Sequence, residues 1–206
     1  MIKYAVFDWD GTIADTYPVL YAAYCTAAHQ LGLPEPSFDQ VKAITGTVQN
    51  KEVMPRLFGS KADEASALFY KYIQKNHLQG LKMVSGAGEL LSFCLKNHIQ
   101  MLLLTNKQQN YLTKELKFFK LENCFANIVS AGIYSQDKPH PIACKALFKG
   151  KIPPKDEIVV IGDGGSDIKA AAVFGAKSII LGNRIKGDYN IQNLSEAIEI
   201  IKGNLS

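Results

Sequence analysis

The heptapeptide VFDWDGT, residues 6–12, is the most informative stretch of this chain. An apolar run ends here in two carboxylates, Asp8 and Asp10, that are one residue apart. Because side chains alternate between the faces of an extended chain, both carboxylates point to the same side and repel each other, while Trp9 between them points to the core. A buried carboxylate needs a compensating partner, so the pair predicts a cation, a shared proton or water at the end of this strand.

Continuously apolar runs of strand length recur along the chain and alternate with helical spacing of apolar residues. The runs are YAVFD (4–8), IQMLLLT (99–105), ANIVSA (126–131), EIVVIGD (157–163) and SIILG (178–182). Continuous rather than alternating apolarity is typical of strands that helices cover on both faces. The sequence therefore predicts an α/β fold, a doubly wound, Rossmann-like parallel sheet.

Residues 15–81 contain no convincing strand and show only helical patterns. We predict a small α-helical insertion at 15–81 and an α/β core formed by 1–14 and 82–206. The expected helix boundaries are Thr16 as an N-cap, Gly32 as a stop, a capping box of Ser37 and Gln40, and Ser60 as a further helix start.

The composition is that of an ordinary globular protein. The chain has 206 residues, 47% hydrophobic and 20% charged, with a net charge of +4. Basic residues are dispersed and no apolar run reaches membrane-spanning length, so we expect neither a nucleic acid nor a membrane as partner. The four cysteines are scattered without metal-ligand spacing, and the N-terminus carries no signal-peptide pattern. These features predict a cytoplasmic protein with free thiols.

Polar side chains follow four of the predicted strands or loops, at the edge where parallel sheets bind ligands. They are Asp8 with Asp10, Thr105 with Asn106, Lys138 ahead of a helix that Pro139 is expected to open, and Asp163 with Asp167. Four carboxylates, a hydroxyl and an ammonium at one edge suit Mg²⁺ together with a phosphoryl group. His140, in the same stretch, is interpreted as a surface residue at a helix start.

The motifs DxDGT, Thr, Lys and GDxxxD, in this order and with a helical insertion after the first, resemble the haloacid dehalogenase (HAD) superfamily. Within it the chain is similar to phosphoglycolate phosphatase-like hydrolases with a helical, C1-type cap. The resemblance implies that Asp8 is a nucleophile that forms an aspartyl-phosphate and that Asp10 is the general acid and base. It also implies that Thr105 and Lys138 complete the catalytic set and bind the phosphoryl oxygens.

The same resemblance implies the ligands of the metal and of the substrate. Mg²⁺ would be held by Asp8, by the backbone carbonyl of Asp10 and by Asp163, with Asp167 in support. Gly11, through its backbone N–H, and Asn106 would join Thr105 and Lys138 in binding the substrate.

The helical insertion is expected to close over the edge of the sheet, exclude water and favour compact substrates. The expected partner is a small phosphorylated metabolite, such as phosphoglycolate or a sugar phosphate, and the expected assembly is a monomer or a weak homodimer. Candidate substrate-facing residues are the loop 45–47 and the polar side chains of Gln49, Lys51 and Arg56. A plain helix-to-helix turn also explains the loop, and an ordinary solvated surface also explains the three side chains.

Other functions fit the same motifs. A phosphomutase or a pyrophosphatase would use the same intermediate with a different acceptor or substrate. A phosphoacceptor signalling domain also combines Asp, Thr and Lys at strand ends, but its phosphorylated Asp follows a later strand and it has no helical insertion. A dehalogenase is disfavoured because those relatives lack the second carboxylate, which Asp10 supplies here.

Overall fold

A computed structural model describes residues 1–45 and 50–203 of the chain. The chain divides into two compact units, one made of Met1–Ala14 with Met83–Ser206 and the other of Asp15–Lys82. Three of the candidate substrate-facing residues, Gly46, Thr47 and Gln49, lie outside the described residues.

The first unit is built on a six-stranded sheet whose strands are β1 (Tyr4–Phe7), β4 (Gln100–Gln108), β5 (Asn127–Ala131), β6 (Ile158–Gly162), β7 (Lys177–Leu181) and β8 (Tyr189–Ile191). Their order in the sheet is β5-β4-β1-β6-β7-β8, and every pair of neighbours is parallel. This confirms the predicted α/β fold with a parallel sheet. Two further short strands, β2 (Ala14–Asp15) and β3 (Lys82–Met83), pair with each other where the chain passes from one unit to the other.

Strand β1 lies at the centre of the sheet, and its register places the acidic motif. Phe7 pairs with Leu103 on one side and with Ile161 on the other. The residues that follow these three positions therefore emerge together at the carboxyl edge of the sheet. The backbone N–H of Asp8 still donates to the carbonyl oxygen of Ile161, at 2.9 Å, so the start of the acidic motif is tied to β6.

Helices cover both faces of this sheet, as the continuous apolar runs predict. The helices of the first unit are α5 (Ala87–Lys96), α6 (Gln109–Phe119), α7 (Pro141–Leu147), α8 (Gly165–Phe174) and α9 (Glu196–Lys202). Val6, Leu104 and Val160 pack with buried side chains of α7 and α8 on one face. On the other face Trp9 is fully buried and its ring lies 6.1 Å from that of Phe119, which confirms its predicted place in the core.

Helix α7 begins two residues later than the sequence predicts. Pro141, not Pro139, occupies its first turn, and His140 is the N-cap, whose Nδ1 accepts a hydrogen bond of 3.2 Å from the N–H of Ile142. The side chain of His140 is exposed, in agreement with its interpretation as a surface residue at a helix start. Lys138 lies in the loop ahead of the helix, as predicted, and two residues further from its start.

The second unit is helical. Its helices are α1 (Tyr17–Gln30), α2 (Phe38–Thr45), α3 (Asn50–Phe58) and α4 (Ala62–Asn76). Aromatic rings pack between its helices, and the ring centroids of Tyr24 in α1 and Phe69 in α4 are 4.5 Å apart. Gly32 follows the end of α1 with a φ of +65°, a conformation that a glycine adopts without strain.

The predicted helix starts in this unit have different outcomes. The capping box is present, since the backbone N–H of Ser37 donates to Gln40 Oε1 at 2.8 Å and that of Gln40 donates to Ser37 Oγ at 3.2 Å. Thr16 stands at the N-cap position of α1 without a capping hydrogen bond from its side chain. The prediction for Ser60 is wrong, because Ser60 lies inside a 3₁₀ turn, Gly59–Lys61, and α4 begins only at Ala62.

Arg56, a further candidate for substrate contact, pairs with Glu52 one turn earlier in α3, at 3.0 Å, and is exposed. This contact is typical of a solvated helix face. Within residues 1–45 and 50–203, no helix combines the length and the apolarity that crossing a membrane requires.

The capping box yields a stability prediction. Ser37→Ala removes the acceptor for the N–H of Gln40 and should lower the free energy of unfolding by about 0.5–2 kcal/mol. Ser60→Ala is the matched control, because Ser60 caps no helix, and it should change stability by less than about 0.5 kcal/mol. Urea titration followed by circular dichroism measures both, and equal effects of the two substitutions would contradict the assigned helix start.

Candidate active site

Three carboxylates meet at the carboxyl edge of the sheet. Asp8 follows β1, Asp163 follows β6, and Asp167 lies in the first turn of α8. One oxygen of each lies within 4.8 Å of the others. The structure thus brings together three of the four predicted acidic residues through their side chains, whereas the carboxylate of Asp10 points elsewhere, as described below.

The ammonium of Lys138 lies among these carboxylates. Its Nζ is 3.0 Å from Asp8 Oδ1, contacts Asp167 Oδ1, and donates to the carbonyl oxygen of Leu104 at 2.9 Å. The side chain of Lys138 is 2% exposed, and that of Asp167 is fully buried. The ammonium is therefore surrounded by three protein oxygens, and binding a phosphoryl oxygen, as predicted, requires Lys138 to add a further oxygen or to release one of these.

Burial and mutual repulsion change the acid–base properties of this cluster. Burial, together with the charges of Asp167, Asp163 and Asp10, raises the pKa of Asp8 to about 8, although Lys138 acts in the opposite direction. Burial lowers the pKa of Lys138, but the charges of Asp167 and Asp8 outweigh it and the net direction is upward. Lys138 alone therefore does not compensate the Asp8 carboxylate for its burial and for the charges of the neighbouring carboxylates.

The donor set suits a hard divalent cation. The cluster found among the described residues consists of carboxylates only, without histidine or cysteine. Oxygen ligands of this kind are those that Mg²⁺ prefers, and a cation would favour the ionised form of Asp8 against the burial and the neighbouring carboxylates that raise its pKa. The residues present therefore fit Mg²⁺.

The backbone of Gly162 lies close to Asp167, and the absence of a side chain at position 162 leaves room for the carboxyl group of Asp167. Its Oδ2 accepts a hydrogen bond of 2.9 Å from the N–H of Gly164. A Cβ atom at position 162 would lie 2.0 Å from Asp167 Cγ, so the carboxyl group packs directly against the backbone of Gly162. This contact explains why a glycine precedes the acidic loop at the end of β6.

Thr105 and Asn106 are both at the site and have different partners. The Oγ1 of Thr105, a buried residue, accepts a hydrogen bond of 3.1 Å from the N–H of Lys107. This contact does not use the hydroxyl hydrogen of Thr105, which is the donor that the predicted contact with a phosphoryl oxygen needs. Asn106 Nδ2 donates to the backbone carbonyl of Lys138 at 3.0 Å. Asn106 therefore holds the lysine loop, a contact that the predicted role in substrate binding does not include.

The backbone N–H of Gly11, which is predicted to bind the substrate, has an acceptor within the protein. The φ of Gly11 is +76°, which agrees with the choice of glycine, and its N–H donates to the carbonyl oxygen of Ala14 at 2.8 Å. This N–H closes the tight loop after the acidic motif, and substrate binding through it remains a prediction.

Two residues that the sequence did not indicate support the carboxyl group of Asp10: Lys107 contacts it, and Glu115 contacts Lys107. Lys107 Nζ lies 2.7 Å from Asp10 Oδ1 and 3.0 Å from Glu115 Oε1. Burial lowers the pKa of Lys107, but Asp10 and Glu115 reverse this effect and raise it overall, so the lysine is a cation. Period-two spacing from Thr105 could have placed Lys107 at the site, and Glu115 interrupts the apolar stripe of Leu112 and Phe119 on α6.

Arg184 is a third missed residue. It lies in the loop after β7, and its Nη2 donates to Asp163 Oδ2 at 2.8 Å. This contact partly neutralises Asp163 and fixes one of its oxygens. No pattern in the sequence connects this loop with the acidic cluster.

The comparisons with known proteins agree with this geometry. Residues 5–181 match the family described as haloacid dehalogenase-like hydrolase. The chain belongs to this family. The predicted family is thereby confirmed, and the protein is a hydrolase. The candidate site of this HAD-family chain lies at the acidic carboxyl edge of the sheet described above.

Curated relatives match most of the chain. A phosphoglycolate phosphatase of Pseudomonas syringae pv. syringae is 30% identical over 189 residues, which cover 87% of this chain and 69% of that protein. A phosphoglycolate phosphatase of Vibrio parahaemolyticus is 25% identical over 219 residues, which cover 97% of this chain and 96% of that protein.

Solved structures share the fold. A predicted phosphoglycolate phosphatase from Haemophilus somnus superimposes with a TM-score of 0.84 at 20% identity, covering 97% of this chain and 98% of that one. A HAD-superfamily hydrolase from Geobacter sulfurreducens gives a TM-score of 0.72 at 24% identity, covering 97% and 96%.

The contact between Gly162 and Asp167 yields a second prediction. Gly162→Ala places a methyl group where the carboxyl of Asp167 lies, and this overpacking should lower the free energy of unfolding by roughly 1–3 kcal/mol. Gly88→Ala in α5 is the control, since a Cβ there meets nothing within 4 Å, and it should be neutral or stabilise by about 0.4–1 kcal/mol. Denaturant titrations compare them, and wild-type stability of the Gly162 variant would contradict the described packing.

Proposed function

We propose that this protein is a magnesium-dependent phosphatase that hydrolyses a small phosphomonoester through an aspartyl-phosphate on Asp8. The observation that carries the proposal is the cluster of Asp8, Asp163 and Asp167 around the Lys138 ammonium, at the carboxyl edge of the sheet of a HAD-family hydrolase. Side-chain oxygens of Asp8 and Asp163 and the backbone carbonyl of Asp10 would hold Mg²⁺, with Asp167 in support. When bound, Mg²⁺ supplies a Lewis acid that offsets the repulsion between the carboxylates and a phosphate dianion.

In the first step a carboxylate oxygen of Asp8 attacks the phosphorus atom. The bond between phosphorus and the ester oxygen breaks, and the leaving oxygen takes a proton from the carboxyl group of Asp10. The products of this step are the free alcohol and an acyl phosphate on Asp8. Lys138 and Thr105 bind the phosphoryl oxygens and orient the transferred group.

In the second step water hydrolyses the acyl phosphate. Asp10, now a carboxylate, takes a proton from the water as its oxygen attacks phosphorus. The bond between phosphorus and the Asp8 oxygen breaks, inorganic phosphate leaves, and Asp8 is again a carboxylate. One residue serves as acid and then as base, so the enzyme returns to its initial protonation state.

The proposed substrate class is small phosphorylated metabolites. The relatives named phosphoglycolate phosphatase support it, and phosphoglycolate and sugar phosphates are the first candidates. We further propose that the helical unit Asp15–Lys82 acts as the cap that selects among them, and that the protein works as a monomer or weak homodimer.

Turnover of a panel of phosphorylated metabolites in the presence of Mg²⁺ tests this function. Release of inorganic phosphate from a compact phosphomonoester is the expected result. Phosphoryl transfer to a second hydroxyl group without net phosphate release would instead identify a phosphomutase, and selective cleavage of pyrophosphate would identify a pyrophosphatase. An acyl phosphate that persists for minutes without turnover would indicate a signalling domain.

Metal removal gives a third prediction. Excess chelator should abolish phosphate release, and added Mg²⁺ should restore it, because three carboxylates of the same charge cannot otherwise accommodate a phosphate dianion. Mg²⁺ should also raise the midpoint of thermal unfolding of the substrate-free protein, since it binds the folded state. Full activity in metal-free buffer with chelator would contradict the proposal.

Substitutions at the two motif aspartates give a fourth prediction. Asp8→Asn should abolish turnover because an amide is a poor nucleophile. Asp10→Asn should lower kcat by about 10²–10⁴-fold, the usual contribution of acid–base catalysis, while Mg²⁺ binding is retained because the proposed ligand at Asp10 is its backbone carbonyl. Steady-state kinetics and isothermal titration with Mg²⁺ measure these effects. More than a few per cent of the wild-type rate in Asp8→Asn would exclude the covalent mechanism.

A further inference from the structure

We propose that Lys107, anchored by Glu115 and Trp9, is a positioning residue that fixes the carboxyl group of Asp10 for proton transfer, through contact with its Oδ1. This inference rests on the proposed function, in which Asp10 gives a proton to the leaving group and takes one from water. It adds three side chains to the site, none of them a motif residue named in the sequence analysis as catalytic, metal-binding or substrate-binding.

The four side chains form a closed ring of contacts. Trp9 Nε1 donates to Glu115 Oε2 at 2.6 Å, and Glu115 Oε1 lies 3.0 Å from Lys107 Nζ. Lys107 Nζ in turn donates to Asp10 Oδ1 at 2.7 Å, and Asp10 follows Trp9 directly in the chain. The ring therefore joins the side chain of Asp10 to the backbone that carries it, by way of β4 and α6.

Burial decreases along the ring toward the reacting group. Trp9 and Glu115 are fully buried, the Lys107 side chain is 11% exposed, and that of Asp10 is 31% exposed. The rigid part of the ring is thus in the core, and only its last member reaches the solvent-facing edge. A carboxylate held from the core in this way has a defined orientation before any substrate arrives.

Stability alone is a poor explanation for this arrangement. A buried charge such as that of Glu115 costs desolvation free energy, and apolar side chains of similar volume often stabilise a core better than a buried ion pair does. The distances show that both oxygens of Glu115 are used, one by Trp9 and one by Lys107. The ion pair instead fixes positions. Glu115 sets where the Lys107 ammonium lies, and the ammonium sets where Asp10 Oδ1 lies.

Lys107 also links Asp10 to Thr105. Its backbone N–H donates to Thr105 Oγ1 at 3.1 Å, while its side chain binds Asp10. One residue therefore sets the positions of the proposed acid–base group and of a proposed phosphoryl ligand. Loss of the side chain removes the first contact and keeps the second, which predicts an effect on proton transfer rather than on phosphate binding.

The test is the kinetics of Lys107→Met. We expect kcat to fall roughly 10- to 100-fold, as for other residues that orient a reacting group, with KM and Mg²⁺ affinity within about twofold of wild type. The loss should be larger for alkyl phosphates than for p-nitrophenyl phosphate, because an alkoxide leaving group needs the proton from Asp10 and a nitrophenolate does not. A merely structural role would lower both rates equally.

Lys107→Met leaves the buried carboxylate of Glu115 without its cation, which destabilises the folded protein. Further variants therefore separate a loss of activity from a loss of folding. Lys107→Met/Glu115→Gln removes both charges and keeps an acceptor for Trp9. Trp9→Phe keeps an aromatic side chain but removes the donor to Glu115 and part of the buried indole volume, and it should change the leaving-group dependence in the same direction with a smaller loss of kcat. Lys177→Met is the control, since it breaks a 3.0 Å pair with Asp188 away from this edge and should leave the kinetics unchanged.

A double-mutant cycle with Asp10→Asn decides the outcome. If Lys107 acts through Asp10, Lys107→Met should have almost no further effect on kcat in the Asp10→Asn background. Multiplicative losses, an unchanged kcat in the folded single or double variants, or a change in KM alone would overturn the inference. If Asp10→Asn itself keeps the wild-type rate, the proposed function fails instead, so the two failures are distinguishable.

Discussion

The ammonium of Lys138, buried among carboxylates, is the interaction on which the site depends. It contacts Asp8 and Asp167 and donates to the carbonyl of Leu104, so it connects the loop before α7 with β1, β4 and the first turn of α8. A buried cation is tolerated only when its charge is compensated, and here two carboxylates and a carbonyl oxygen surround it. Two neighbouring residues support this contact. The side chain of Asn106 donates to the backbone carbonyl of Lys138, and Gly162 leaves space for the carboxyl group of Asp167.

Much of this site could be predicted from the sequence because the carboxyl ends of parallel strands lie at the same edge of the sheet. Once continuous apolar runs indicate a parallel sheet, polar residues that follow the runs must meet, and Asp8, Lys138 and Asp163 do so. The family resemblance extended the argument to roles, which remain proposals. Element boundaries were less certain, as Ser60 and Pro139 illustrate, because a residue suited to a helix start does not itself determine where the helix begins.

The site residues that were not predicted form ion pairs with residues of other elements, and only the tertiary structure brings these partners together. A lysine such as Lys107 resembles any solvated lysine, and its meaning depends on Glu115, which comes from a different element. Arg184 reaches Asp163 from a loop whose sequence has no periodicity. Strand β8 is too short, at three residues, for an alternating pattern to distinguish it from a loop.

The central position of β1 has a consequence for how the protein is made. Its partners β4 and β6 are separated from it by the whole helical unit and by much of the first unit, so β1 is translated long before either neighbour exists. Such non-local pairing is slow, and an apolar strand that waits for partners is exposed on the nascent chain. The helical unit, whose segments are close in sequence, can form during that interval. The carboxylate cluster is completed only when Asp167 has been synthesised, so a nascent chain that ends before α8 lacks the assembled cation site.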